Sequence, residues 1–124
     1  MFEESGRERG VVLAIPEPTL AAATAERLRT LGWQVWRATS PRDARRLAWR
    51  HFPEAVVLPA DGSDESGWLT CAKLLRAQPR LRVLLVGERT PQADRLARFV
   101  GAVGLSGATV GELVGRVEDG VTVA

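Results

Sequence analysis

Short apolar runs alternate with stretches of helical periodicity along the 124 residues, and this alternation restricts the possible fold more than any other feature. Three runs are wholly apolar and rich in β-branched residues, as strands covered on both faces are: Val11–Ile15, Ala55–Leu58 and Val83–Val86. The run Trp33–Trp36 alternates apolar and polar residues as an edge strand does, and Ala102–Leu105 is a fifth candidate strand.

Helix signals occupy the segments between these runs. Gly32 is a typical helix end, Ser40-Pro41 combines an N-cap with a first-turn proline, and Thr109 begins a capping box with Glu112. The apolar stripes of the five predicted helices are Leu20/Thr24/Leu28/Leu31, Ala44/Leu47/Ala48/His51, Trp68/Cys71/Leu74/Leu75, Leu96/Phe99/Val100 and Val110/Leu113/Val114/Val117.

Strands that alternate with crossover helices form a parallel sheet with helices on both faces, because such crossovers are right-handed. We therefore predict one three-layer α/β domain over residues 10–118. A flexible arm at residues 1–9 precedes it, and a short tail at residues 119–124 follows it.

The composition excludes several classes of protein. One cysteine and one histidine, Cys71 and His51, allow neither an internal disulfide nor a multi-cysteine zinc site. Both lie on predicted helix stripes, so we expect no nucleophile–base pair and no enzyme. The N-terminus is too polar for a signal peptide, and no apolar run is long enough for a membrane span, so we expect a cytoplasmic protein without a membrane partner. A net charge of +2 lacks the broad basic field that nucleic acid requires.

The ordered set of segments resembles the receiver domain of bacterial two-component response regulators, which is CheY-like. The resemblance covers residues 10–118 and implies a flavodoxin-like (βα)5 fold with strand order 2-1-3-4-5. It rests on Val12–Ile15 with the loop after it, Gly32–Val35, Pro53–Leu58, Gly67-Trp68 and Gly101-Ala102.

The resemblance also implies a site for phosphoryl transfer, and this chain lacks most of that site. In the family, two acids hold Mg²⁺, an aspartate ending the third strand accepts the phosphoryl group, and a Thr or Ser and a Lys contact its oxygens. Here these positions fall on Pro16 and Glu17, Pro59, Gly87 and Gly107. Only Glu17 retains a suitable group, so we expect a degenerate receiver with no phospho-acceptor and no cofactor.

Two alternatives remain open at the same edge of the sheet. Asp61 lies two residues beyond Pro59 and could serve as a substitute acceptor, with Glu17 and Asp61 holding Mg²⁺. The second alternative is a small-ligand or nucleotide site at the carboxyl ends of the strands, where open α/β sheets place their ligands.

The expected partner is another protein, either a signalling protein or a second copy of the chain. One candidate surface combines Trp36, Arg46 and Trp49, because arginine and tryptophan are enriched at interface hot spots. In the alternative interpretation, the tryptophans pack against neighbouring helices and the arginines are solvated. The resemblance implies a second surface, at Gln92, Arg95, Phe99, Leu105 and Glu112.

Overall fold

A computed structural model describes residues 9–87, 91–92, 95, 103–105 and 109–122, with only the backbone at 103–105 and 120–122. The strands are β1 (Gly10–Leu13), β2 (Gln34–Arg37), β3 (Ala55–Pro59), β4 (Arg82–Val86) and β5 (Val103–Leu105). The helices in these residues are α1 (Pro18–Thr30), α2 (Pro41–His51), α3 (Gly67–Ala77) and α4 (Val110–Thr122). The fourth predicted helix, which carries the stripe Leu96/Phe99/Val100, falls mainly outside the described residues.

The five strands form a single parallel sheet in the order β2-β1-β3-β4-β5. Val11 pairs with Val35 on one side and with Ala55 on the other, which places β1 between β3 and the edge strand β2. The sheet confirms the predicted α/β class, the flavodoxin-like strand order and the assignment of Trp33–Trp36 to an edge strand.

Two hydrophobic cores cover the two faces of the sheet, because successive residues of a strand point to opposite sides. Val11 and Leu13 belong to a core closed by α1 and α4, where Leu28 and Leu113 are buried. Val12 belongs to a core closed by α2 and α3, which the following residues share: Ala44, Ala48, Val56, Leu58, Cys71 and Leu74.

Hydrogen bonds at the helix ends confirm two predicted N-caps, whereas one predicted stripe residue lies outside its helix. Ser40 Oγ accepts a hydrogen bond from the Asp43 N–H at 3.1 Å, and Thr109 Oγ1 accepts one from the Glu112 N–H at 3.2 Å. Both predicted N-caps are therefore confirmed. Leu31, in contrast, does not join the buried stripe of α1, because the helix ends one residue earlier and Leu31 is 43% exposed.

The residues at the two predicted domain boundaries contact the domain or continue its elements. Arg9, the last residue of the predicted arm, donates from its guanidinium to the Leu31 carbonyl at 2.6 Å and to Glu118 at 3.3 Å. It also lies 4.8 Å from the ring centroid of Trp33, whose indole N–H donates to Glu118. At the other end, α4 continues through residue 122, because one glycine at 120 costs a helix only about 1 kcal/mol.

The second half of α4 is hydrogen-bonded to the first residue of β4. Arg82 donates to the carbonyl of Arg116 at 3.1 Å and to that of Val117. These carbonyls lie in the second half of the helix, toward its negative end, where a cation is favourable. None of the helices described here has the length and hydropathy needed to cross a bilayer.

Candidate functional site

A small cavity of about 180 Å³ lies at the carboxyl edge of the sheet, between the ends of β1, β2 and β3. This edge is where open parallel sheets bind ligands and where the receiver resemblance places phosphoryl transfer. The cavity is lined by Ala14, Ile15, Pro16, Ala38, Thr39, Ser40, Pro41, Pro59, Asp61 and Ser63.

Pro59 occupies the last position of β3, opposite Val86 of β4. The side chain of a proline has no oxygen, so this strand end offers no nucleophile for a phosphoryl group. The start of α3 closes tightly over it, since a Cβ on Gly67 would lie 2.1 Å from the Pro59 carbonyl oxygen. Gly87, at the end of β4, lies against Ala60, and a Cβ there would approach the Ala60 methyl to 2.9 Å.

Glu17 retains a carboxylate, but the fold uses it as a helix cap. Glu17 Oε1 accepts from the Leu20 N–H at 2.6 Å, and Oε2 accepts from the Thr19 N–H at 3.3 Å. Acidic groups at this position stabilise a helix because the first N–H groups have no other partner. Pro16 is exposed and adds no donor or acceptor side chain.

The remaining groups do not fit the magnesium site of a receiver domain. Asp61 is exposed and is the one carboxylate among the described residues that line the cavity, which do not include Glu17. No cluster of three or more His, Cys, Asp or Glu side chains suited to a metal ion occurs in the described part of the chain. Gly107, at the family's lysine position, lies outside the described residues.

Next to this cavity lies a buried ionic cluster that the sequence did not reveal. Glu65 is 8% exposed in its side chain and accepts from Lys73 Nζ at 2.7 Å, Thr70 Oγ1 at 2.5 Å and Arg45 Nη2 at 3.3 Å. Burial by itself would raise the pKa of Glu65, but the hydrogen bonds from Lys73 and Thr70 and the two positive charges hold it below its usual value. No local sequence signal predicts that Glu65 is buried in an ion pair. In sequence it is a loop acid just before α3, a position where acids are usually solvated.

Arg45 connects this cluster to an exposed face of α2. Its guanidinium lies 5.2 Å from the ring centroid of Trp49, a geometry for a cation–π contact, and Trp49 is 46% exposed. Five side chains surround a shallow depression here and are named the α2 face: Arg42, Arg45, Arg46, Trp49 and Arg50.

One member of the α2 face is held by its own helix. Arg46 donates twice to Asp43, at 3.0 and 2.6 Å. The Thr39 backbone N–H also donates to Asp43, and this bond together with the Arg46 contact holds the pKa of the carboxyl below its usual value.

Trp36 does not belong to the α2 face, contrary to the grouping expected from the sequence. It is half-buried in the core under α2, where its ring stacks on His51 with centroids 4.2 Å apart. A Cβ on Gly10 would lie 2.7 Å from its Cζ3 atom. The reason is that both faces of the sheet are covered, so a residue pointing away from Val35 still meets a helix.

The second predicted surface is described only in part. Gln92, Arg95 and Glu112 are exposed, and Leu105 lies in the edge strand β5. Phe99 lies outside the described residues.

Comparison with solved structures identifies the fold. A CheY-like receiver domain protein from Methanospirillum hungatei superposes with a TM-score of 0.83 at 13% identity, over 92% of this chain and 94% of that chain. The chemotaxis protein CheY4 of Vibrio cholerae superposes with a TM-score of 0.80 at 15% identity, over 90% of this chain and 98% of that one. The chain therefore has the fold of CheY-like response-regulator receiver domains.

Comparison of sequences adds one relative. The adventurous-gliding motility protein Z of Myxococcus xanthus is 31% identical over 85 residues, which are 67% of this chain. The match spans 6% of the length of that protein. No protein-family model matches the chain.

Proposed function

We propose that this chain is a cytoplasmic receiver-like signalling module that operates without phosphoryl transfer, by binding another protein. The observation that carries the proposal is Pro59 at the end of β3, where the family's acceptor aspartate would stand. Two further observations support it, since Glu17 is engaged as a helix cap and Gly87 offers no hydroxyl.

Binding is favoured over catalysis by the state of the reactive side chains. Cys71 is buried, which raises the pKa of its thiol to about 11 and disfavours the nucleophilic thiolate. His51 is stacked on Trp36 at the end of α2, away from the cavity-lining residues.

A nucleotide-binding function is not favoured, because pockets for molecules of drug size have volumes of roughly 300–1,000 Å³. The cavity at the carboxyl edge measures about 180 Å³. The phosphoryl-accepting alternative, with Asp61 as acceptor, needs a second carboxylate to hold Mg²⁺. Glu17 would have to leave its position as a helix cap to supply it.

The α2 face is the surface we propose for the partner. Trp49 exposes an aromatic ring whose position is supported by Arg45, which Glu65 in turn holds. A preorganised tryptophan surrounded by arginines has the composition of an interface hot spot. The exposed residues Gln92, Arg95 and Glu112 mark the second candidate surface.

The absence of phosphoryl chemistry is tested by amide NMR spectra recorded with and without Mg²⁺ and beryllofluoride, a mimic of the aspartyl phosphate. We expect unchanged spectra, and no added mass after treatment with acetyl phosphate. Shifts clustered at Glu17, Asp61 and Gly87, together with a phosphoryl group on Asp61, would refute the proposal.

The partner surface is tested with a matched pair of variants in chemical cross-linking followed by pull-down. Trp49→Ser should lose the cross-linked partner, whereas Leu69→Ser removes a side chain that is 49% exposed on α3 and should retain it. Equal retention by both variants would exclude the α2 face and favour the surface at Gln92, Arg95 and Glu112.

A further inference from the structure

Phe52, at the end of α2, is an exposed aromatic residue in an unfavourable backbone conformation. It is 72% exposed, and its φ of 51° and ψ of 60° lie in the left-handed region. Helix ends of this kind normally use glycine or asparagine, because a Cβ is disfavoured there. A bulky apolar residue at this position therefore gains little from the fold of its own chain.

The ring of Phe52 lines a groove at the amino-terminal edge of the sheet, opposite the cavity described above. The groove has a volume of about 770 Å³ and lies between two connections. One connection leads into β3 and contributes Phe52, Pro53 and Glu54, and the other, residues 77–82, leads into β4. The groove does not cover Phe52, which remains largely in solvent although it lines one wall.

Each wall of the groove carries an exposed charge, and the two charges have opposite signs. Glu54 lies on the wall that contains Phe52, and Arg80 lies on the other wall. Within the described residues, neither side chain forms a salt bridge. Arg82 also lines the second wall, where its charge attracts Glu54, but its guanidinium donates to two carbonyls of α4. These charges of both signs contrast with the α2 face, whose five members include four arginines and which would repel a copy of itself.

We infer that the groove is the interface for a second copy of this chain, related to the first by a two-fold axis. Such an interface must be self-complementary, because the same patch serves both subunits. Here the anchor, the groove and both charges lie side by side on one patch. Phe52 of each copy enters the groove of the other, and Glu54 of one copy faces Arg80 of the other.

This association is independent of the proposed partner binding. Trp49 and the other members of the α2 face do not line the groove, and the cavity at Pro59 lies at the opposite edge of the sheet. The two surfaces therefore share no lining residue, and each is tested by variants of its own.

Sedimentation velocity from about 1 µM to 1 mM tests the interface, since this range covers dissociation constants of weak and moderate dimers. We expect reversible dimerisation by the wild-type chain. Phe52→Asn removes the ring but keeps a residue that tolerates the left-handed conformation, and it should weaken the dimer at least about tenfold. Leu69→Ser, the matched loss of an exposed apolar residue in the first turn of α3, should not weaken it.

Charge reversal tests the pairing across the axis. Glu54→Arg and Arg80→Glu should each weaken the dimer, and the variant with both changes should recover it to within about threefold. A wild-type chain that is monomeric at every concentration overturns the inference. A monomer whose Phe52 is covered by residues 1–8 would be one such result. A dimer that survives Phe52→Asn, or a double reversal that stays monomeric, also overturns it.

Discussion

Glu65→Gln tests whether the buried carboxylate stabilises the fold as its contacts indicate. The glutamine oxygen can still accept one hydrogen bond, but the charge that faces Arg45 and Lys73 is lost. Hydrogen bonds to a charged group contribute about 1.5–3 kcal/mol and neutral ones about 1 kcal/mol, so each cation contact loses roughly 1 kcal/mol. Lys73 is 41% exposed and solvent screens its share, which leaves an expected destabilisation of about 1.5 kcal/mol.

Urea unfolding followed by circular dichroism measures this change, and thermal unfolding should show a decrease in Tm of about 4–8 °C. Asp61→Asn is the matched control, because it neutralises an exposed carboxylate in the same loop and should change the stability by less than about 0.5 kcal/mol. If Glu65→Gln were no more destabilising than Asp61→Asn, the cluster would not contribute to stability and the reasoning would be wrong.

The pH dependence gives an independent check on the same group. The pKa of Glu65 is held below its ordinary value of 4.5, so its ionised form stabilises the native state above that pH. This contribution is lost as the pH falls through the lowered pKa. The difference in free energy of unfolding between wild type and Glu65→Gln should therefore be full at pH 6 to 7 and should shrink below about pH 4.5.

Three further predictions concern single positions. Gly67→Ala should destabilise the fold by more than about 2 kcal/mol in urea unfolding, because the new methyl would meet the Pro59 carbonyl. Gly111→Ala, its control, places the methyl in open space and should stabilise α4 by up to about 1 kcal/mol. Phe52→Gly should raise the free energy of unfolding by about 0.5–1 kcal/mol by removing a left-handed Cβ; a loss of stability would show that the ring packs on its own chain. Cys71 in the folded protein at pH 8 should react with a thiol reagent at least about 100-fold more slowly than in urea, since burial raises its pKa to about 11, and equal rates would contradict its burial.

The parallel sheet could be predicted because its signals are local and redundant. Apolar runs such as Val11–Ile15 and Ala55–Leu58 are typical of strands buried on both faces, and helical stripes separate them. The caps at Ser40 and Thr109 could also be predicted, since each acts on an N–H three residues along the chain.

The site was less predictable because its contacts join distant segments. The alternation in β2 correctly predicts that Trp36 and Val35 point to opposite faces of the sheet. It does not predict whether a helix covers the face of Trp36. Glu65 lies in the loop before α3 and contacts Arg45 of α2, 20 residues away, so no short sequence pattern marks the pair. The end of α2 could be predicted from Pro53, because a proline disfavours helix at the residue before it. The left-handed conformation of Phe52 could not, because phenylalanine is not a typical residue for it.

The contact between Arg9 and Glu118 brings the entry of the chain into the domain close to its exit. Arg9 immediately precedes β1, and Glu118 lies in the last turns of α4, with the two side chains 3.3 Å apart. A linker of a few residues could therefore join the two ends, and new termini could be opened in the exposed loop at Asp61–Asp64. Any segments joined to this domain at its two ends would leave from the same edge of the sheet, on the side away from Pro59.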